Sequence, residues 1–172
     1  VLFETCRSIG HCPKVIFASS LAVYGGNLPE VVHDDTALNP KTSYGVQKAI
    51  CELLLADYSR KGFIDGRGLR LPTISVRPGK PNKAASSFAS GIIREPLNGV
   101  DTVCPVTADM HLLLMSPRQA VECMIWAHDL GAEASGQTHV INLPGLTVTV
   151  GEMVEVLGKI AGPSATRKIH WE

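Results

Sequence analysis

No uninterrupted apolar run in this sequence approaches the roughly 20 residues that a membrane-crossing helix needs. The N-terminal segment VLFETCRSIG is neither basic nor a long apolar leader. A soluble, cytoplasmic protein is therefore expected, with no membrane partner. Charge of one sign is missing too: sixteen basic side chains balance sixteen acidic ones. That balance excludes a broad electrostatic attraction to nucleic acid or to an anionic membrane surface, and small or local partners are expected instead. Cysteine is sparse and scattered. The five, at positions 6, 12, 51, 104 and 123, are an odd number and include no Cys-x-x-Cys. The six histidines share no helical face with neighbouring carboxylates, so no metal is expected. Reduced thiols are the simplest reading; the one junction where a disulfide has a minor chance is Cys6 with Cys12.

What is present is an ordinary globular composition. The chain has 172 residues, 45% hydrophobic and 19% charged, enough for one core. Residues 1–10 read as the tail of a helix that ends at Gly10. KVIFASS (14–20) is a short apolar run that ends in serines, the pattern of a parallel strand bringing polar residues to its C-terminal end. A glycine-, proline- and aspartate-rich loop follows, in which Asp34 and Asp35 read as solvated. From Ser43 to about Lys61 the residues Val46, Ile50, Leu53, Leu54 and Tyr58 recur at helical spacing. RGLRLPTISVRPG (67–79) reads as a further strand, although Pro72 argues against a central, fully bonded position there. Strand, helix, strand with short turns is the unit of a parallel sheet, and ligands bind beyond the strand C-termini of such sheets. Beyond residue 80 shorter elements are expected: a helix near 84–95, strands near 101–106 and 111–115, and a helix from Pro117 to Leu130 that buries Trp126. THVINL (138–143) reads as a strand. A last helix starts near Val150, with Thr149 and Glu152 in capping-box spacing, and runs to Gly162.

The chemistry-bearing stretch is SYGVQKAICELLL (43–55). Residues i and i+4 of a helix share a face, so Tyr44 and Lys48 can direct their polar ends to one place. Roughly one chain in seven of this composition would carry such a pair by chance, and the pair alone is weak. Ser20, at the tip of the adjoining strand, changes the odds. A strand-tip hydroxyl, a phenol in the first helical turn and an ammonium one turn later make a proton-transfer site. A free phenol is a poor base at neutral pH. A positive charge about 4 Å away, at an effective dielectric near 20, contributes about 4 kcal/mol, or about three pKa units.

Three ordered motifs, FASSLAVYGG, NPKTSYGVQKAICELLL and SVRPGKPN, resemble those of the extended short-chain dehydrogenase/reductase family, which includes NAD-dependent sugar-nucleotide epimerases and dehydratases. The run LRLPTISVRPGKPNKAASSFASGIIREPL is most similar to the group within it that oxidises D-erythronate, a four-carbon sugar acid, at C2. The resemblance implies an α/β fold: the C-terminal part of a Rossmann-type parallel sheet with a small α/β substrate-binding subdomain. Residues 1–80 would be the second half of the dinucleotide-binding domain. Residues 81–172 would be mostly the substrate subdomain, with some segments returning to the sheet. Tyr44 would be the general acid/base, Lys48 would assist it and bind the nicotinamide ribose, and Ser20 would hold the substrate hydroxyl. Ser19 would be a cofactor neighbour and a weaker alternative to Ser20. The main chain at Pro78 and Gly79 would border the nicotinamide. The cofactor would be NAD, with NADP open, and the full-length protein a homodimer.

Two departures from the family pattern matter. No glycine-rich pyrophosphate fingerprint occurs, nor the acidic residue that follows it; GGNLPE (25–30) is only a loop. The chain thus reads as the C-terminal half to two-thirds of an enzyme, expected to bind NAD poorly and to be inactive by itself. Sugar-nucleotide members usually carry asparagine two residues after the position of Pro78, where this chain has Lys80, and an Arg-Asp-containing stretch where it reads MHLLLMSPR. A lysine there suits a small carboxylate, so Lys80, with Asn82 and Lys83 as alternates, is the candidate acid-binding group. A solvated loop lysine is an equal reading of Lys80. A sugar-nucleotide epimerase or dehydratase, and a non-catalytic scaffold fragment, remain the alternatives.

Overall fold

The computed structural model describes residues 1–80, 84–131 and 139–172. In chain order these form α1 (Leu2–Ile9), β1 (Lys14–Ser20), α2 (Ser43–Arg60), β2 (Asp65–Leu71), β3 (Thr73–Ile74), α3 (Phe88–Leu97), β4 (Thr102–Cys104) and β5 (His111–Met115). Then come α4 (Pro117–Asp129), β6 (Val140–Asn142), β7 (Leu146–Thr149), α5 (Val150–Ala161), α6 (Pro163–Thr166) and β8 (Ile169–Trp171). A single 3-10 turn, Leu21–Val23, follows β1 directly. The chain divides into two compact units, Val1–Leu71 with Val121–Leu143, and Pro72–Ala120 with Pro144–Glu172.

The first unit is built on a parallel sheet of order β1-β2-β6. The central strand β2 is buried along most of its length, because neighbours flank both edges and α2 packs against it. Proline has no N–H to give a ladder, and β2 stops at Leu71. The strand expected over 67–79 is therefore two strands. Thr73–Ile74 pairs with β5 in the other unit, and the compact units divide between Leu71 and Pro72. Leu55, Ile64, Cys6 and Val140 form one core cluster; Val23, Tyr24 and Ala49 form another. All five cysteines are free thiols.

Helix α2 begins at Thr42, whose hydroxyl caps the Gly45 amide at 3.0 Å. Its buried face is Gly45, Ala49, Glu52 and Leu55. Most of the apolar series at helical spacing points outward: Val46, Ile50, Leu53 and Leu54 are all exposed. Small residues explain the choice, since they allow the backbone to lie close. A Cβ on Gly45 would collide with the Ala22 carbonyl, and one on Gly66 of β2 with Ser59 and Leu55. Trp126, expected in the core, is also exposed.

A charged pair sits inside this core. Glu52 of α2 and Arg70 of β2 are 3% and 6% exposed at the side chain and meet at 2.9 Å. The contact is bidentate, with Arg70 Nε donating to both carboxylate oxygens at 3.1 and 3.2 Å. Burial alone would lower the guanidinium pKa, but the Glu52 carboxylate outweighs it and holds the group above its ordinary value. A second buried cation, Arg67, donates to the carbonyls of Ala127 and His128 at 2.6 and 2.9 Å. Lys14 reaches the same His128 carbonyl, so two cations meet the negative end of α4.

The second unit carries the mixed sheet β3-β5-β7 and the parallel pair β4-β8. Its core is Ile92, Cys104, Val150, Met153, Leu157, Ala165 and Ile169. The capping box of α5 is formed as expected, with Thr149 Oγ accepting from Glu152 N at 3.1 Å and Glu152 accepting from Thr149 N at 2.7 Å. β7, α6 and β8 carried no sequence expectation. They are short, and pairing across the fold defines them more than local pattern does.

Replacing Gly45 with Ala should destabilise the fold by about 1–3 kcal/mol through overpacking, despite a helix-propensity gain of about 1 kcal/mol; a urea midpoint higher than wild type would contradict this. Arg70→Met alone should cost about 3–5 kcal/mol, because it strands the Glu52 charge. The double variant Arg70→Met/Glu52→Leu should recover part of that loss in the same denaturation assay.

Candidate functional site

The candidate site lies where β1 ends and α2 begins. Parallel strands deliver their C-terminal residues to one edge of a sheet, and a helix that packs on that sheet brings its first turns to the same edge. Here Lys48 donates from Nζ to the Ala18 carbonyl at 2.7 Å. That ammonium stands 5.5 Å from the centre of the Tyr44 ring and 4.9 Å from the Phe17 ring. Both distances lie within the range in which a ring face attracts a cation. Lys48 is half-buried and retains two further N–H donors.

The Tyr44 side chain is presented to solvent: the residue is 54% exposed, and its hydroxyl makes no hydrogen bond among the described residues. Ser20 is half-buried and accepts from the Ala22 amide at 3.2 Å, which caps the 3-10 turn. Its hydroxyl proton is left to donate elsewhere. Gly45 lies so close to this turn that a Cβ there would collide with the Ala22 carbonyl. Lys48 thus joins the Tyr44 ring to the end of β1, the strand that closes in Ser20.

Ser19 is placed differently from Ser20. It is 2% exposed, and its hydroxyl donates to Glu52 Oε1. Adjacent residues of a strand face opposite sides, so when Ser20 serves the turn, Ser19 turns toward α2. The side chain is consequently engaged inside the core.

Sequence reasoning missed the network beyond Ser19. Arg70 also donates to the Tyr24 hydroxyl and, at 3.1 Å, to the Asp34 carbonyl. The single Tyr24 hydroxyl proton has two acceptors in reach, Asn142 Oδ1 at 2.9 Å and the His33 carbonyl at 3.1 Å. Asp34 is exposed and accepts the Asn142 main-chain N–H at 2.6 Å through its carboxylate. Two signals could have exposed this network: Glu52 continues the four-residue spacing of Tyr44 and Lys48, and Arg70 is one of two arginines, with Arg67, inside the buried central strand.

Pro78, Gly79 and Lys80 belong to the second unit and are exposed. Gly79 has φ +91°, a conformation that suits glycine. The segment leading to them is pinned to α3: Ser75 Oγ donates to the Ala89 carbonyl at 2.9 Å, the Arg77 amide to Ser90 Oγ at 3.0 Å, and Arg94 to the Arg77 carbonyl at 2.6 Å. Asn82 and Lys83 lie outside the described residues. Among the described residues no group of three or more His, Cys, Asp or Glu could hold a metal, and no helix is long and apolar enough to cross a membrane.

Comparison with known proteins agrees with this architecture. Residues 1–142 match the NAD dependent epimerase/dehydratase family. The chain is 63% identical over 171 residues to D-erythronate dehydrogenase of Cupriavidus necator, covering 99% of this chain and 53% of that protein. To the D-erythronate dehydrogenase of Haemophilus influenzae it is 51% identical over 171 residues, covering 99% and 54%. A solved structure described as the nucleoside-diphosphate-sugar epimerase from Agrobacterium tumefaciens superposes with a TM-score of 0.92 at 49% identity, covering 99% of this chain and 51% of that one. The chain spans about half the length of the curated relatives it matches. Its α/β architecture, its parallel sheet and its match over most of its length place it in one group: the chain belongs to the NAD dependent epimerase/dehydratase family.

Proposed function

We propose that the full-length protein is an NAD-dependent oxidoreductase that oxidises the C2 hydroxyl of a small sugar acid, D-erythronate or a close analogue. The observation that carries this reading is the Lys48 ammonium, fixed on the Ala18 carbonyl and set against the Tyr44 ring. Identity of 63% to a D-erythronate dehydrogenase across 99% of this chain supports the substrate class.

The residues present fit the nicotinamide-ribose end of NAD. Lys48 has two donors left for vicinal hydroxyls, and the Tyr44 hydroxyl is unengaged beside them. When bound, NAD supplies the hydride acceptor. Ser20 donates its hydroxyl proton to the substrate oxygen and holds it in reach. Tyr44 accepts the proton of that hydroxyl as the carbon is oxidised, and the Lys48 charge stabilises the negative oxygen that the phenol presents. Pro78 and Gly79 line the nicotinamide with main chain, and Lys80 attracts the carboxylate of the acid, with Asn82 and Lys83 as alternates.

A second reading, transient oxidation of a sugar nucleotide without net reduction, is favoured by the description of the Agrobacterium structure. The full-length protein is proposed to form a homodimer through α2, whose outward Val46, Ile50, Leu53 and Leu54 make an apolar strip without a partner inside the first unit.

Tyr44→Phe should lower kcat by about 10²- to 10⁴-fold, measured as NADH formed from NAD and D-erythronate by the full-length protein. NADH accumulation separates the dehydrogenase from an epimerase, and absence of NAD binding in calorimetry would leave only a scaffold. Lys80→Met should raise the KM for the acid and leave kcat close to wild type; an unchanged KM removes Lys80 from the site. Leu53→Glu should shift sedimentation from dimer to monomer, and a monomeric wild type would overturn the pairing.

A further inference from the structure

We propose that Ser19, Glu52 and Arg70 act as a positioning strut that sets the strand-tip hydroxyl of Ser20 against Tyr44 and Lys48; the inference rests on the proton-transfer reading of those three residues. Helix α2 grips the end of β1 at two points one helical turn apart. Lys48 holds the Ala18 carbonyl at 2.7 Å, and Glu52 holds the Ser19 hydroxyl. Ser20 is the next residue, so its position follows from these two anchors.

The second anchor is the stiffer one. Glu52 cannot swing, because Arg70 engages both of its oxygens at 2.9 to 3.2 Å. Arg70 is itself held by the Tyr24 hydroxyl, by the Asp34 carbonyl at 3.1 Å and by Asn142 Oδ1 at 3.5 Å. The strut therefore ties the helix that bears Tyr44 and Lys48, the central strand, the 24–34 loop and the tip of β6 to one guanidinium. Ionised, fully desolvated groups hold such a geometry more tightly than neutral ones, since the bonds are strong and water cannot replace them. Ser19, at 2% exposure, acts through its neighbours.

The small variant Ser19→Ala tests this without leaving a charge stranded. In the full-length protein with NAD and D-erythronate, kcat should fall about tenfold or more, as misplacement of reacting groups by a fraction of an ångström to an ångström does. Both KM values should stay within about twofold, and Ser19→Thr, which keeps the hydroxyl, should restore kcat. Without cofactor or substrate, amide exchange at Ala22, whose N–H bonds Ser20 Oγ, should speed up in Ser19→Ala. A wild-type kcat, a loss carried by the KM for NAD, or unchanged exchange at Ala22 would each overturn the strut. Activity surviving in Tyr44→Phe would instead defeat the proton-transfer reading, and the exchange measurement does not depend on that reading.

Discussion

The Glu52–Arg70 pair is the constraint on which the first unit depends. Two ionised groups withdrawn from water are tolerable only together and only when their remaining donors and acceptors are met. That requirement fixes the height and rotation of α2 on the sheet: a slide along the strand would leave a carboxylate or a guanidinium buried alone. It also recruits Tyr24, Asp34 and Asn142, so a loop and a strand end are held in register by hydrogen bonds.

Close approach makes the pair possible. Gly45 lets the first turn of α2 rest on the Ala22 carbonyl, and Gly66 lets its later turns rest on β2. A helix lying this near the sheet carries Lys48 to the Ala18 carbonyl and so brings an ammonium beside the Tyr44 ring. The chemistry proposed for the edge is thus a consequence of packing in the layer beneath it. The cost appears on the opposite face of α2, where the large apolar residues stand outward, and an apolar strip of that kind is what a second subunit could cover.

The local elements were legible because their signals are local. The serine-ended run 14–20 is β1 to the residue, the 43–60 helix starts at the threonine cap that precedes Ser43, and the Thr149–Glu152 box closes as its spacing requires. The Tyr44–Lys48 spacing likewise put two side chains on one face, since 3.6 residues per turn allows no other outcome. Elements set by pairing were not visible in this way: β7 and β8 have too few residues to show a period, and the strand over 67–79 splits at Pro72 between two sheets.

Which face of α2 is inside could not be read from hydrophobicity. Periodicity places Val46, Ile50, Leu53 and Leu54 together, and burying them would be the simplest choice for an isolated helix; instead a glycine, an alanine, a glutamate and a leucine face the sheet. The sequence by itself determined the βαβ order and the placing of Tyr44 and Lys48 on one face of α2, because turn geometry and residue spacing belong to the backbone. Only the tertiary structure decided that Glu52 is buried, that Ser19 turns inward to it and that Arg70 gathers them, because a buried charge becomes favourable only when its partner, 18 residues away in sequence, arrives from another element.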